Sequence, residues 1–223
     1  MQICNDCHAG CCRKYNTHLT GYDILKIKKN LGMDYLYFLQ LAPIKEENVE
    51  KTLKHTALFR FTNLGDGYFA FYMKRVKSRY FPDSHKCIFL QEWDGDDFLL
   101  PVDKVISRCG IYGIRPITCA IYPTKLHDDG LIGIAGNPDN DNASGNAAYD
   151  LCPRPLIEED FAGCSGDDVQ NLVLYKYEMN YFKSLSEVWN AEPGDFAKFI
   201  AYLEAAYKNR ILFNEEEKIK KSC

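Results

Sequence analysis

The chain has 223 residues, a net charge of −4, 46% hydrophobic residues and 26% charged residues. These values are ordinary for a globular protein that buries a core of normal size, so the cysteines are not needed to rescue a very small fold. The charge balance predicts no nucleic-acid partner, and the lack of a long apolar run predicts no membrane partner.

Two helices are predicted after residue 19. The first has the spacing of a capping box at Thr20 and Asp23, and Gly32 is a suitable residue to end it. Its apolar residues recur at helical spacing: Ile24, Ile27 and Leu31. The second helix is predicted from Asp34, which can cap it, through Leu41.

Short β-hairpins are predicted in the middle of the chain. Residues 57–75 contain two aromatic-rich runs on either side of Gly65-Asp66-Gly67, a pattern typical of a hairpin. Residues 87–90 are expected to begin another short strand. A second hairpin is predicted over residues 124–136, with its turn at Asp128-Asp129-Gly130.

The last quarter of the chain is predicted to be helical after a polar loop at residues 136–150. Residues 167–190 have an apolar stripe, and a final helix with a similar stripe is expected just after Pro193. Cys223 lies in a terminal segment expected to be frayed, so we do not expect it to be a ligand.

These elements predict an α+β fold. We expect cysteine-rich loops stapled by metal, short β-hairpins and a pair of C-terminal helices. The predicted organisation is a cysteine-cluster metal-binding domain at residues 1–165, helices at 166–213 packed on it, and a flexible tail at 214–223.

The ten cysteines carry the functional prediction, because four of them occur within nine residues: Cys4, Cys7, Cys11 and Cys12. No apolar signal segment precedes Cys4, so we expect a cytoplasmic protein whose thiols stay reduced. Gathered thiolates are soft ligands that suit zinc or iron, the latter as an iron–sulfur cluster. Because neighbouring side chains diverge, Cys11 and Cys12 indicate two metal centres, one polynuclear centre or one spectator thiol.

Three other interpretations use the same residues. Cys4-x-x-Cys7-His8 matches the attachment pattern of c-type haem, which would leave the later cysteines unexplained. A disulfide framework would need an oxidising compartment, and a redox dithiol at Cys4 and Cys7 normally follows a strand. The sequence contains no P-loop, nucleophile elbow or HExxH pattern, so catalytic residues stay unassigned and enzymatic activity stays open.

The later cysteines lie in motifs that are specific beyond the thiols. These are Cys87-Ile-Phe-Leu, CGIYGIRPITCAIYP at 109–123, and Cys152-Pro153. Together with CNDCHAGCC they resemble the YkgJ-like cysteine-cluster proteins, which have a zinc- or iron-chelating domain that flagellin lysine methylases share. The resemblance covers residues 4–155 and implies eight metal ligands: Cys4, Cys7, Cys11, Cys12, Cys87, Cys109, Cys119 and Cys152.

Several points stay open at this stage. The stretch between Cys87 and Cys109 is long for two ligands of one site, and Cys164 is an alternative to Cys152 as the last ligand. Arg115 is expected at the cofactor, where its guanidinium can offset the charge of the thiolates. The function is predicted as a metalloprotein with a protein-modifying or redox role, and the partner as a protein. The alternative is a structural zinc module for protein–protein interaction.

Overall fold

The computed structural model describes residues 9–94, 105–126, 130, 132–134 and 166–221. The predicted ligands Cys4, Cys7 and Cys152, the alternative ligand Cys164, Cys223 and the predicted loop at 136–150 lie outside the described residues. The α-helices of the described part are α1 (Gly10–Lys14), α2 (Gly21–Leu31), α3 (Val49–His55), α4 (Ile117–Ile121), α5 (Gly166–Ala191) and α6 (Phe196–Lys221).

The strands are short and pair two by two. They are β1 (Leu39–Ile44), β2 (Tyr68–Met73), β3 (Arg75–Lys77), β4 (His85–Cys87), β5 (Leu90–Trp93), β6 (Ile106–Cys109), β7 (Thr124–Leu126) and β8 (Ile132–Ile134). Consecutive strands form four two-stranded sheets, and β3–β4, β5–β6 and β7–β8 are antiparallel. Single 3-10 turns lie at Tyr35–Tyr37, Glu46–Asn48 and Tyr112–Ile114. The predicted α+β fold with short strand pairs and two C-terminal helices is confirmed.

The chain divides into two compact units. The first, called here the cysteine unit, comprises Met1–Thr17, Leu36–Gln40 and Met73–Tyr177. The second, called the aromatic unit, comprises His18–Tyr35, Leu41–Tyr72 and Glu178–Cys223. The domain boundaries predicted from the sequence at residues 165 and 213 stay a prediction.

The aromatic unit is built around phenylalanine rings. Phe59 lies 4.7 Å from Phe199 and 4.9 Å from Phe182 between ring centroids, and all three are fully buried. Phe61 and Phe71 extend the same cluster and are at most 1% exposed. Rings of this size remove a large apolar area from water, so this cluster is the main source of stability in the unit.

Helix α2 begins and ends as its sequence predicts. The Thr20 Oγ1 accepts a hydrogen bond from the Asp23 backbone N–H at 3.2 Å, and the Thr20 backbone N–H donates to Asp23 Oδ2 at 3.1 Å. Gly32 ends the helix with φ of 61°, in the left-handed region that glycine adopts without a steric penalty. The predicted capping box and glycine stop are therefore confirmed.

The end of α5 is tied to the extended segment that precedes β2. The Asn190 side chain accepts from the Arg60 backbone N–H and donates to the Leu58 carbonyl, both at 2.8 Å. The Trp189 indole N–H donates to the Arg60 carbonyl at 2.8 Å. These side chains satisfy backbone groups that a neighbouring strand would otherwise pair, which fixes the segment beside the helix.

Two predicted elements differ from the structure. The helix predicted from Asp34 to Leu41 is wrong, because only the 3-10 turn Tyr35–Tyr37 forms before strand β1. The predicted hairpin at residues 57–75 forms only in part: its second run is β2, whose strand partner is β1, while Phe59 joins Phe69 through a single antiparallel bridge. Pairing between distant segments decided both cases, which local patterns do not reveal.

No helix among the described residues is both long enough and apolar enough to span a bilayer.

The pair β7–β8 confirms the predicted second hairpin by its register, which places Thr124 opposite Ile134 and Leu126 opposite Ile132. Helix α6 continues through residues 214–221, for which the sequence predicts a flexible tail.

Candidate metal centre

Five of the predicted ligands fall on four separate elements of the cysteine unit. Helix α1 carries two of them, β4 and β6 each end in one, and α4 carries the last. All five are partly buried, and no disulfide joins any two of them. They are Cys11, Cys12, Cys87, Cys109 and Cys119.

Helix α1 is a single turn that positions two adjacent thiols. It begins after Ala9, whose φ of 59° is in the left-handed region and is uncommon for a residue other than glycine. The helix ends at Lys14, and the backbone N–H of the following Tyr15 donates to the Cys11 carbonyl at 3.0 Å. A five-residue helix is too short to be stable alone, so contacts with the rest of the unit must hold this turn.

Antiparallel pairing explains how the long stretch between Cys87 and Cys109 is compatible with one site. Strand β4 ends at Cys87, β5 begins at Leu90, and β6 places Cys109 directly opposite Leu90. The insertion therefore leaves along β5 and returns along β6. The chain brings Cys109 back to a point opposite Leu90, three residues after Cys87. The long stretch between these two cysteines is therefore compatible with both of them belonging to one site.

The two thiols on α1 interact directly. A hydrogen bond from the Cys12 thiol lowers the pKa of Cys11, and the same bond raises the pKa of Cys12. Burial raises the pKa of Cys12 further, as does the charge of Cys11, Cys119 and Cys87. The thiolate forms of these three cysteines therefore all disfavour ionisation of Cys12.

The strand-end thiols are part of the same electrostatic cluster. Burial raises the pKa of Cys87 to about 11, and the charges of Cys109 and Cys11 contribute. Burial also raises the pKa of Cys109, while the nearby Arg115 guanidinium lowers it. A bound cation would relieve both the desolvation and the mutual repulsion of such thiolates.

Arg115 lies where the sequence predicts a positive charge. Its guanidinium carbon is 4.0 Å from the centre of the Tyr112 ring, a cation–π contact that fixes the side chain. From this position its charge lowers the pKa of both Cys11 and Cys109. Its role as a residue that binds the cofactor stays a prediction.

Cys119 lies on α4, and this helix begins directly after the buried Pro116. Its thiol donates to the Thr17 hydroxyl across 3.9 Å. Nearby, the Tyr15 and Tyr122 rings meet edge to face with centroids 5.2 Å apart. These contacts place α4 beside the segment that follows α1.

The described residues do not complete a metal site by themselves. Within residues 9–94, 105–126 and 169–208, no three cysteine, histidine or acidic side chains are grouped closely enough to hold an ion. The donor set is nevertheless chemically right for zinc or iron, because it consists of several partly buried thiols without disulfides between them.

Sequence reasoning missed a buried ion-pair cluster next to these cysteines. The Glu92 carboxylate, 1% exposed, pairs with Arg13 and accepts from Lys86 Nζ at 2.8 Å. Burial raises its pKa, but hydrogen bonds from Lys86, Arg13 and Ser78 outweigh burial and lower it. Two of these cations neighbour cysteines in sequence, yet no local pattern reveals a pairing across 79 residues.

The family model described as "CxxCxxCC: Putative zinc- or iron-chelating domain" matches residues 3–152, about two thirds of the chain. The chain itself has three residues between Cys7 and Cys11 where the printed pattern has two. Neither a search of curated proteins nor a search of solved structures finds a match.

Proposed function

Because the chain belongs to this CxxCxxCC family of zinc- or iron-chelating domains, we propose that it binds zinc or an iron–sulfur centre through its clustered cysteines. Cys11, Cys12, Cys87, Cys109 and Cys119 are the proposed ligands on the described elements. Cys4, Cys7 and Cys152 are proposed to supply the others. The thiolates need a reducing compartment, so the proposal includes a cytoplasmic location.

One observation carries this proposal. Five partly buried thiols, with no disulfide between them, lie on four elements of a single unit, and the β5–β6 pair returns Cys109 to a point opposite Leu90, three residues after Cys87. A thiol hydrogen bond and burial raise the pKa of Cys12, and burial raises the pKa of Cys87 and Cys109, so these thiols stay protonated unless a cation favours their thiolate form. A bound metal would be such a cation, and Arg115 would offset the negative charge that remains on a site with four thiolates.

Two roles for the centre are proposed, and they differ in coordination. A protein-modifying or redox role, suggested by the resemblance to lysine methylases, requires an open coordination position or an electron-transferring cluster. The alternative is a structural zinc module with closed four-thiolate coordination. The alternative is favoured by the shortness of the elements that carry the thiols, which are three to five residues long.

Metal analysis of protein purified without oxygen tests the proposal. We expect a stoichiometric metal. An iron–sulfur centre absorbs at about 400 nm, whereas a zinc site is colourless, so the absorption spectrum distinguishes the two kinds of centre. Protein that is folded and reduced but contains no metal, and takes up none when zinc or iron with sulfide is supplied, contradicts the proposal.

Alanine variants assign the ligands. Replacing Cys12, Cys87, Cys109 or Cys119 should lower the metal content, whereas the matched variant Cys223→Ala should keep it. A parallel pair, Cys152→Ala and Cys164→Ala, decides which of these two cysteines is the last ligand. Loss of metal in Cys164→Ala but not in Cys152→Ala would reverse our assignment.

A further inference from the structure

Glu92 connects three elements that together carry four of the cysteines. Its carboxylate is at the middle of β5 and pairs with Arg13 of α1, Lys86 of β4 and Ser78. We propose that Glu92 is a positioning residue, which holds α1, β4 and β6 in the arrangement that receives the metal. This inference rests on the proposed function, because it assigns a role to Glu92 in metal binding at the same site.

Two of the contacts lie directly beside cysteines. Arg13 follows Cys12 in sequence and Lys86 precedes Cys87, so each pairing fixes the backbone next to a thiol. Lys86 Nζ also donates to the Leu90 carbonyl at 2.7 Å, which ties β4 to the start of β5. The Ser78 hydroxyl completes the set, at 2.9 and 3.1 Å from the two carboxylate oxygens.

Arg13 extends the arrangement to the third element. While one of its terminal nitrogens contacts Glu92, the other donates to Ser107 Oγ at 2.8 Å. Ser107 lies two residues before Cys109 on β6 and opposite Glu92 in the β5–β6 register. A forked guanidinium therefore contacts both strands of this pair at once, a geometry that lysine cannot reproduce.

Arg75 holds the other side of α1. It donates to the Lys14 carbonyl at 3.2 Å, to the Arg13 carbonyl, and to the His85 carbonyl at 2.7 Å. In the β3–β4 register Arg75 lies opposite Cys87. The carbonyls at the end of α1 thus bind the strand pair that carries Cys87, independently of Glu92.

The three charged side chains of this arrangement are largely buried. The side chains of Glu92, Arg13 and Lys86 are 1%, 10% and 15% exposed. Removing the carboxylate charge would leave two cations poorly compensated in a site of low solvent access, so the partners would separate. Metal binding would then have to reorder the three cysteine-bearing elements, and the apparent affinity would fall.

Titration of the full-length, reduced protein with Co²⁺ as the probe tests this role. Glu92→Gln should lower the apparent Co²⁺ affinity by about 10- to 100-fold, the range found for residues that orient metal ligands. At saturation its thiolate-to-cobalt absorption should match the wild-type spectrum, since the ligands are unchanged. The matched control is Glu204→Gln, which removes the same charge from an exposed pair with Lys28 and should bind like the wild type.

A second control separates positioning from general loss of stability. Leu172→Ala removes a buried leucine of the cysteine unit that takes no part in the ion-pair cluster. If Leu172→Ala, at equal loss of stability, weakens Co²⁺ binding as much as Glu92→Gln, the inference is overturned. Wild-type affinity in Glu92→Gln overturns it as well.

Two further outcomes of this experiment bear on the role of Glu92. Should Glu92→Gln fail to fold, Ser78→Ala removes the hydroxyl that contacts Glu92 and accepts from the Phe81 backbone N–H, while both cations stay in place. It should weaken binding several-fold, and an unchanged affinity would contradict the inference. Wild-type protein that takes up neither Co²⁺ nor, when sulfide is supplied, iron would refute the proposed function itself, and the role of Glu92 with it.

Discussion

The aromatic unit and the cysteine unit are stabilised by different groups. In the aromatic unit the largest fully buried side chains are rings and aliphatic groups, among them Phe59, Phe199 and Tyr207. In the cysteine unit the buried side chains also include Glu92 with its cations, and the thiols around them are only partly buried. Apolar burial dominates the first unit, although this unit also pairs the buried carboxyls of Asp23 and Glu178. In the second unit a buried ion-pair cluster joins several elements.

The two units differ in their need for a ligand. The cysteine unit has apolar residues of its own, including Phe38, Met73, Leu90 and Ile117, but its sheets have only two strands each. Isolated two-stranded pairs are marginally stable. A metal that joins distant thiolates would contribute the missing free energy of folding.

The largest expected effect comes from metal removal. Structural zinc contributes apparent free energies of roughly 10–16 kcal/mol to small metal-dependent folds. Treating reduced protein with a strong chelator should abolish protection from hydrogen exchange in β5 and β6, while α2 and the buried part of α6 keep theirs. Mass spectrometry of peptides measures both regions in one sample, with metal added back as the control. Equal loss of protection in both units would contradict the comparison.

A core truncation should have the opposite selectivity. Phe199→Ala empties the centre of the aromatic cluster and should lower the free energy of unfolding by about 3–5 kcal/mol. The metal content should stay at the wild-type value. Denaturant unfolding and metal analysis provide the two readouts, and Val188→Ala, at a 65% exposed position of α5, is the control expected to be near neutral.

Substitutions at two glycines test how tightly each unit is packed around them. A Cβ at Gly21 would lie 2.6 Å from Tyr207 Cε2 and 2.7 Å from Leu203 Cδ1, so Gly21→Ala should destabilise the aromatic unit by about 1–3 kcal/mol. A Cβ at Gly113 in the cysteine unit would meet no atom within 4 Å. Gly113→Ala should therefore be tolerated. Thermal unfolding compares the two variants, and equal melting temperatures would show that α2 does not pack tightly at Gly21.

How far the sequence predicts each unit follows from the range of the contacts involved. The capping box at Thr20 and the hairpin that pairs Thr124 with Ile134 depend on residues within about ten positions, and both were predicted. The helices α5 and α6 were predicted from apolar periodicity. The strand β1 was not, because its partner β2 is distant in sequence and its pairing overrides the local helical signal at Asp34.

The candidate site was predicted in chemistry but not in arrangement. Cysteine spacing identified the thiols on α1, but the return of Cys109 next to Leu90 and the contact of Cys119 with Thr17 depend on tertiary structure. The pairing of Arg13 with Glu92 could not be predicted for the same reason. A buried ion pair is specified by the surrounding fold, and its two charged residues look like ordinary surface residues in the sequence.

The smallest expected effect is a pH dependence of opposite sign in the two units. Burial raises the pKa of Glu178 in the aromatic unit, despite its contact with Arg210. The contribution of Glu178 to stability is therefore full below the pKa of an unfolded glutamate and is lost as the pH rises through the folded value. Glu92 has a lowered pKa, so its contribution is present above the unfolded pKa and is lost as the pH falls through the folded value.

Variants that cannot titrate separate the two contributions. Glu178→Gln should remove part of the decline in stability on the alkaline side of the unfolded glutamate pKa. Glu92→Gln should remove part of the decline on its acidic side. The difference in unfolding free energy between wild type and each variant, measured across this range, cancels the titration of the thiols and other groups. Slopes of the same sign for both variants would contradict the opposite pKa shifts of these two buried carboxyls.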